Sequence, residues 1–171
     1  LAAVSGSVAT TATATTNVGS VAITQGTVTN ANNSNYDITF TNGALTIGTK
    51  ALTITADDKS KTYGEVNPVL TFTVAEDITG LAAVSGSVAT TATATTNVGS
   101  VAITQGTVTN ANNTNYDITF TEGALTIGTK ALTITADDKS KTYGEANPAL
   151  TFTVAEDITG LAAVSGSVAT T

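Results

Sequence analysis

The 171 residues include neither Cys nor His, so disulfides, thiolate nucleophiles, the imidazole general base and the commonest zinc ligands are all excluded. Thirteen acids against six Lys give a formal net charge of −7, and without Arg or an extended basic face the chain is unsuited to nucleic acid. No apolar run approaches the roughly 20 residues of a membrane span, so this segment does not insert into a bilayer as a helix.

In chain order, apolar and polar residues alternate at a period of two, the pattern of half-buried strands. In "DITFTNGALTI" (37–47) the pair Asn42-Gly43 separates two alternating runs and predicts a type I′ hairpin. Its counterpart, Glu122-Gly123, predicts the same hairpin under strain or with a bulge, because Glu tolerates positive φ poorly. "ALTITA" (51–56) predicts a strand with Leu52 and Ile54 inward, and "LTFTVA" (70–75) another with Leu70, Phe72 and Val74 inward. "DITGLAAVSGS" (77–87) reads as one turn of helix packing Leu81 and Val84, with a loop as the alternative. "NVGSVAITQGTVT" (97–109) offers Val101 and Ile103 before Gly106 breaks the run, and "YDITFT" (116–121) offers Tyr116, Ile118 and Phe120.

The sequence is also periodic. "LAAVSGSVATT" occupies 1–11, 81–91 and 161–171, a repeat of 80 residues (81 − 1 and 161 − 81). Between 1–80 and 81–160 only four pairs differ: Ser34 and Thr114, Asn42 and Glu122, Val66 and Ala146, Val69 and Ala149. The phasing gives the C-terminal part of one unit at 1–49, a complete unit at 50–129 and the N-terminal part of a third at 130–171. Units meet at "ALTIGTKALTITADD" (124–138), where Gly128, Thr129 and Lys130 alone separate two strands. The inward residues pass there from odd (Leu125, Ile127) to even (Leu132, Ile134), so the chain leaves one core and enters the next through a short, stiff joint.

"ALTITADDKSKTYGEANPALTFTV", "NVGSVAITQGT" and "NYDITFTEGALTI" together resemble the MBG repeats of the Tyr-Gly type found in large bacterial surface adhesins and haemagglutinin-like secreted proteins. Tyr143-Gly144, Asn147-Pro148 and Tyr116 stand at the motif positions, and the resemblance covers the whole period. It implies stalk or filament material at a cell surface, with no shared catalytic residues to carry over. The Ala- and Thr-rich "GSVATTATATT" departs from it in having small side chains where a heavier strand is expected.

Sharper readings compete with plainer ones. Asp57, Asp58, Glu76 and Asp77 could supply oxygens to a calcium ion, but "DDKSK" lacks EF-hand spacing and solvated turn residues account for them. A Lys-to-Asn isopeptide cross-link at Lys59 or Lys61 is outweighed by solvated lysines in a polar loop. The run "ATTATATT" suggests an exposed Thr strand, open to O-linked sugars, rather than an ice- or polysaccharide-binding face, because it recurs only once per 80 residues. "NNS" (32–34) and "NNT" (112–114) are N-glycosylation patterns by letter, and Tyr63 and Tyr143 read as packed rings rather than sugar-stacking ones.

The expectation is therefore a mostly β, two-layer module per repeat, either an Ig-like sandwich or β-grasp-like with one short helical turn, strung into an elongated extracellular or cell-surface rod. It has no enzymatic activity and no cofactor. Its partners are neighbouring repeats or same-sequence chains in a fibre, and the alternative is a carbohydrate- or ice-binding repeat using the Thr face. Near-identical units invite strand exchange, with "ALTI" as the element at risk and "YDITFT" as its expected partner.

Overall fold

The computed structural model describes residues 3–169. Its strands are β1 (Gly19–Ile23), β2 (Gly43–Ile47), β3 (Lys50–Ala56), β4 (Lys59–Thr62), β5 (Phe72–Val74), β6 (Gly99–Ile103), β7 (Tyr116–Thr121), β8 (Gly123–Gly128), β9 (Ile134–Ala136) and β10 (Phe152–Val154), with a single 3-10 turn at Asn110–Asn112. Residues 50–128 form the one complete unit, a pair of three-stranded sheets ordered β5-β3-β7 and β4-β8-β6.

Alternation builds the core between these sheets. β3 turns Leu52, Ile54 and Ala56 inward, β7 contributes Tyr116, β6 Ile103, and β8 Leu125 and Ile127, all buried. Val88, Ala92 and Val108 fill the remaining space from irregular segments. The small residues of the Ala-Thr run are thus partly explained: Ala92 is a core residue where the chain passes close to the sheets.

The expected hairpin at Gly43 and Gly123 does not form. β7 and β8 lie in different sheets, with β7 parallel to β3 and β8 parallel to β4 and antiparallel to β6. The pairing of Lys50 with Tyr116 and of Lys59 with Leu125 keeps one register across the bend. β3–β4 and β7–β8 are therefore two long strands running side by side, each bent from the first sheet into the second at residues 57–58 and 122. Neither Gly43 nor Gly123 has positive φ, and no non-Gly residue does among the described residues, so Glu122 carries no backbone strain. Glycine is needed at 123 for room: a Cβ there would lie 2.5 Å from the Ala56 carbonyl oxygen. Asp58 closes the bend by accepting a hydrogen bond from the Ala124 N–H at 2.7 Å. Because "ALTI" pairs with β6 and β4, "YDITFT" is not the partner it would exchange.

Other local expectations are also corrected. The segment 77–87 makes a β-turn in place of a helical one, with the Leu81 N–H donating to Ile78 at 2.9 Å and Gly80 at φ +77. A positive φ at that third position excludes a helix and suits glycine. "KSKT" is a strand and not a loop, and Lys61 is buried. "ATTATATT" is not a flat Thr strand: after the bridge of Ala89 to Thr104 the run turns, with Thr93 N–H donating to Thr96 Oγ1 at 2.8 Å and Thr96 N–H to the Thr93 carbonyl at 3.2 Å.

The flanking units repeat these elements in part. β1 and β2 pair as β6 and β8 do, and β9 and β10 pair as β3 and β5 do, each pair forming a two-stranded sheet. The eight residues at which the two copies differ are all exposed, so variation between copies falls where packing does not constrain it.

Candidate functional site: the joints between repeats

The segment from Lys59 to Asn67 carries a set of polar contacts that are not ordinary sheet ladders. Lys61 points into the unit, 8% exposed, and its ammonium donates to the carbonyls of Glu65 at 3.1 Å and Thr93 at 2.6 Å. These acceptors replace water around a buried cation, so the expectation of solvated lysines fails at Lys61. "KSKT" offered no apolar signal for this. Only Thr93, 32 residues away, makes the position a pocket for an ammonium. Asn67 Nδ2 donates to Ala92 at 2.6 Å, while its Oδ1 is buried without a partner.

The Tyr-Gly pair follows at once. Tyr63 N–H donates to the Gly128 carbonyl at 2.9 Å and Gly64 N–H to Ala94 at 3.0 Å. This fixes the pair against the end of β8, facing the third unit. There the Tyr63 hydroxyl accepts a hydrogen bond from Ala162 N–H at 3.1 Å. Leu161 lies so close that a Cβ on Gly64, whose φ is +94, would stand 2.8 Å from its Cδ1. The glycine is needed twice, for its conformation and for the approach of Leu161.

The first joint shows contacts from the opposite side. Between β2 and β3 only Gly48 and Thr49 intervene, whereas at the second joint β8 runs through Gly128 and β9 begins only at Ile134, so five residues (129–133) separate the strands there and not the three expected. Asn115 of the complete unit accepts from Val18 N–H at 3.0 Å and donates to Asn17 Oδ1 at 2.9 Å, both in the first unit. Asn115 also accepts from Lys50 N–H through its backbone carbonyl at 3.0 Å, holding the start of β3. Tyr116 is a packed ring as expected, its hydroxyl bonded to the Ala82 carbonyl. Tyr63 is half-buried, whereas Tyr143 is fully exposed.

The four acids do not converge. Asp57 accepts from the Thr71 hydroxyl, Asp58 from Ala124, Glu76 from Thr53 N–H at 2.7 Å and Asp77 from Thr79 N–H at 2.8 Å. Among the described residues no group of three acids stands close enough to hold a metal ion. The backbone N–H of Thr53, opposed by some desolvation and helped by the Thr53 hydroxyl, lowers the pKa of Glu76 below the ordinary range. Thr79 does the same for Asp77. At the N-glycosylation patterns, Asn32 and Asn112 are exposed and donate to Thr27 and Thr107 at 2.7 and 2.8 Å. The neighbouring Asn33 and Asn113 are buried instead, and Asn113 bonds both the N–H and the carbonyl of Ser85.

A family model described as MBG domain (YGX type) matches residues 1–46, 52–126 and 132–171, nearly the whole chain, in three tandem segments. The chain belongs to this family. No curated protein and no solved structure matches it.

Proposed function

We propose that this run of MBG repeats is a non-catalytic stalk or fibre segment of a bacterial surface adhesin or secreted filament, in which repeat number sets reach and the joints set stiffness. The family is one of repeat-containing extracellular proteins, and a mostly β module without Cys suits a rod held by packing alone. The observation that carries the reading is the joint: two residues long at Gly48 and Thr49, with side-chain and backbone hydrogen bonds crossing between units on both sides of the complete repeat. Such bonds add about 0.5–1.5 kcal/mol each, and a two-residue connection leaves little slack for bending.

Inserting four Gly after Thr129 tests it. The insertion lengthens the connection at the second joint while leaving the core of 50–128 untouched, so small-angle scattering should show a shorter and broader distribution of maximum dimensions, with the strand signal in circular dichroism unchanged. An unaltered scattering profile would refute the stiff joint. A glycan-array screen of the same chain addresses the alternative reading, which loses its flat Thr face because the run turns at Thr93 and Thr96.

A further inference from the structure

Tension along the chain enters the complete unit at Lys50, the first residue of β3, and leaves it at Gly128, the last residue of β8. These two points lie at opposite ends of one parallel ladder. β3 and β7 pair through six residues, from Lys50 with Tyr116 to Thr55 with Thr121, and β4 and β8 pair through four, from Lys59 with Leu125 to Thr62 with Gly128. Backbone bonds extend the ladder to both limits: Lys50 N–H donates to the Asn115 carbonyl at 3.0 Å, and Tyr63 N–H to the Gly128 carbonyl at 2.9 Å. At the bend between the two paired stretches, the Asp58 carboxylate accepts from Ala124 N–H at 2.7 Å. The two long strands are thus joined all the way from the point where force enters to the point where it leaves.

Drawing residues 49 and 129 apart pulls β3–β4 and β7–β8 past each other along their own direction. The bonds between them share the force and have to give together. A ladder opened from one end loses its pairs in turn, each carrying the whole force as it breaks. Each pulled strand is also held on its other edge, because β3 is central in β5-β3-β7 and β8 is central in β4-β8-β6. A slip of one residue reverses the facing of every side chain on the sliding strand, which would turn Leu52 and Ile54, or Leu125 and Ile127, out of the core they fill. The hairpin expected from sequence has the opposite property. With β7 parallel to β3, a hairpin would return β8 to the end where β3 begins, and tension would open the unit pair by pair.

We propose that the complete repeat is a tension clamp, whose paired first and last strands keep it folded while the chain is pulled along its length. The proposal deepens the stalk reading and rests on it for the source of tension, since a segment that spans from a surface to whatever its far end holds is pulled from both sides. Stiffness at the joint and resistance inside the unit are separate properties. Scattering reads the first and pulling reads the second, so either reading can fail alone.

The chain contains no Cys, so a pair of introduced Cys fixes where the force is applied. Single-molecule force spectroscopy compares two double variants of the whole chain at one loading rate. Thr49→Cys with Thr129→Cys pulls the long strands past each other, whereas Thr49→Cys with Thr114→Cys pulls their neighbouring starts apart. All three positions are exposed and lie outside the strands, and circular dichroism checks folding. Forced unfolding follows the unfolding rate, so the comparison reads the direction of pull on one and the same fold. The first variant should rupture in a single event, releasing about 260–290 Å of chain at roughly 3.3–3.6 Å per residue, less the folded separation of the two sites. Its rupture force should exceed that of the second at least about twofold, because many bonds of similar strength give together and not in turn. Asp58→Ala, at an exposed position, removes the bond across the bend. It should lower the rupture force of the first variant and leave that of the second unchanged, because opening from the strand starts meets its highest force at Lys50 and Tyr116, before the bend is reached. Equal forces in the two geometries, extension of the first variant in several small steps, or an Asp58→Ala change that weakens both geometries alike or neither would overturn the proposal.

Discussion

Replacing Gly123 by Ala separates the bent-strand architecture from a hairpin. In a type I′ hairpin Gly43 and Gly123 would both require positive φ, and alanine would cost about the same, roughly 1 kcal/mol, at either site. In the observed fold neither has positive φ, and the two sites differ only in their surroundings. A Cβ at 123 would meet the Ala56 carbonyl oxygen at 2.5 Å, its carbon at 3.0 Å and its Cβ at 3.2 Å, all parts of a buried strand that cannot retreat without disturbing Leu52 and Ile54. Overpacking of this kind costs about 1–3 kcal/mol. At 43 the nearest atoms are Ile23 Cβ and Cδ1 at 3.6 and 3.7 Å, ordinary contact. There the lower chain entropy of alanine leaves stability unchanged or raises it by about 0.5 kcal/mol. Since 1 kcal/mol moves the midpoint of a domain this size by about 4–8 °C, differential scanning calorimetry in dilute solution should show Gly123→Ala lowered by about 10 °C and Gly43→Ala within about 3 °C of the parent. Equal shifts at the two sites would refute the close-approach argument.

Three other outcomes follow from the same contacts. Lys61→Met keeps the apolar stem but strips the Glu65 and Thr93 carbonyls of their shared donor, which should cost about 2–3 kcal/mol in urea titrations, whereas Lys59→Met, at a half-buried position of the same strand, should cost less than about 1 kcal/mol. Asn113→Ala removes bonds to Ser85 N–H, Ser85 carbonyl and Thr109 carbonyl and should cost about 2–4 kcal/mol, with 81–87 becoming the first segment to exchange amide protons. Glu76 and Asp77 have folded pKa values below their unfolded ones, so their contribution is present above the ordinary carboxylate range and disappears as pH falls through the lowered folded values. The acid limb of the stability profile should therefore be shallower in a Glu76→Gln, Asp77→Asn double variant, and a limb of unchanged slope would remove these two groups from the account.

Much of the molecule was legible in residue order because its signals are local. The 80-residue period and the alternation of Leu52 with Ile54 and of Leu125 with Ile127 follow from side chains alternating across a strand, whereas Leu132 and Ile134, expected to face inward beyond the second joint, are exposed. The family was legible too, its motifs being short and contiguous. Local order could not say which strands meet. Asn42-Gly43 between two alternating runs is the same text whether the chain reverses within one sheet or crosses to another, and only the parallel pairing of β7 with β3 and β8 with β4 decides between them. Lys61 was hidden for the same reason: one lysine of a polar tetrapeptide becomes buried when the carbonyl of Thr93 arrives from a distant part of the chain to replace water at its ammonium. The Tyr-Gly pair could be recognised in the sequence, but its place against Leu161 and Ala162 exists only once two repeats stand end to end, because neither side of that contact is completed within one unit.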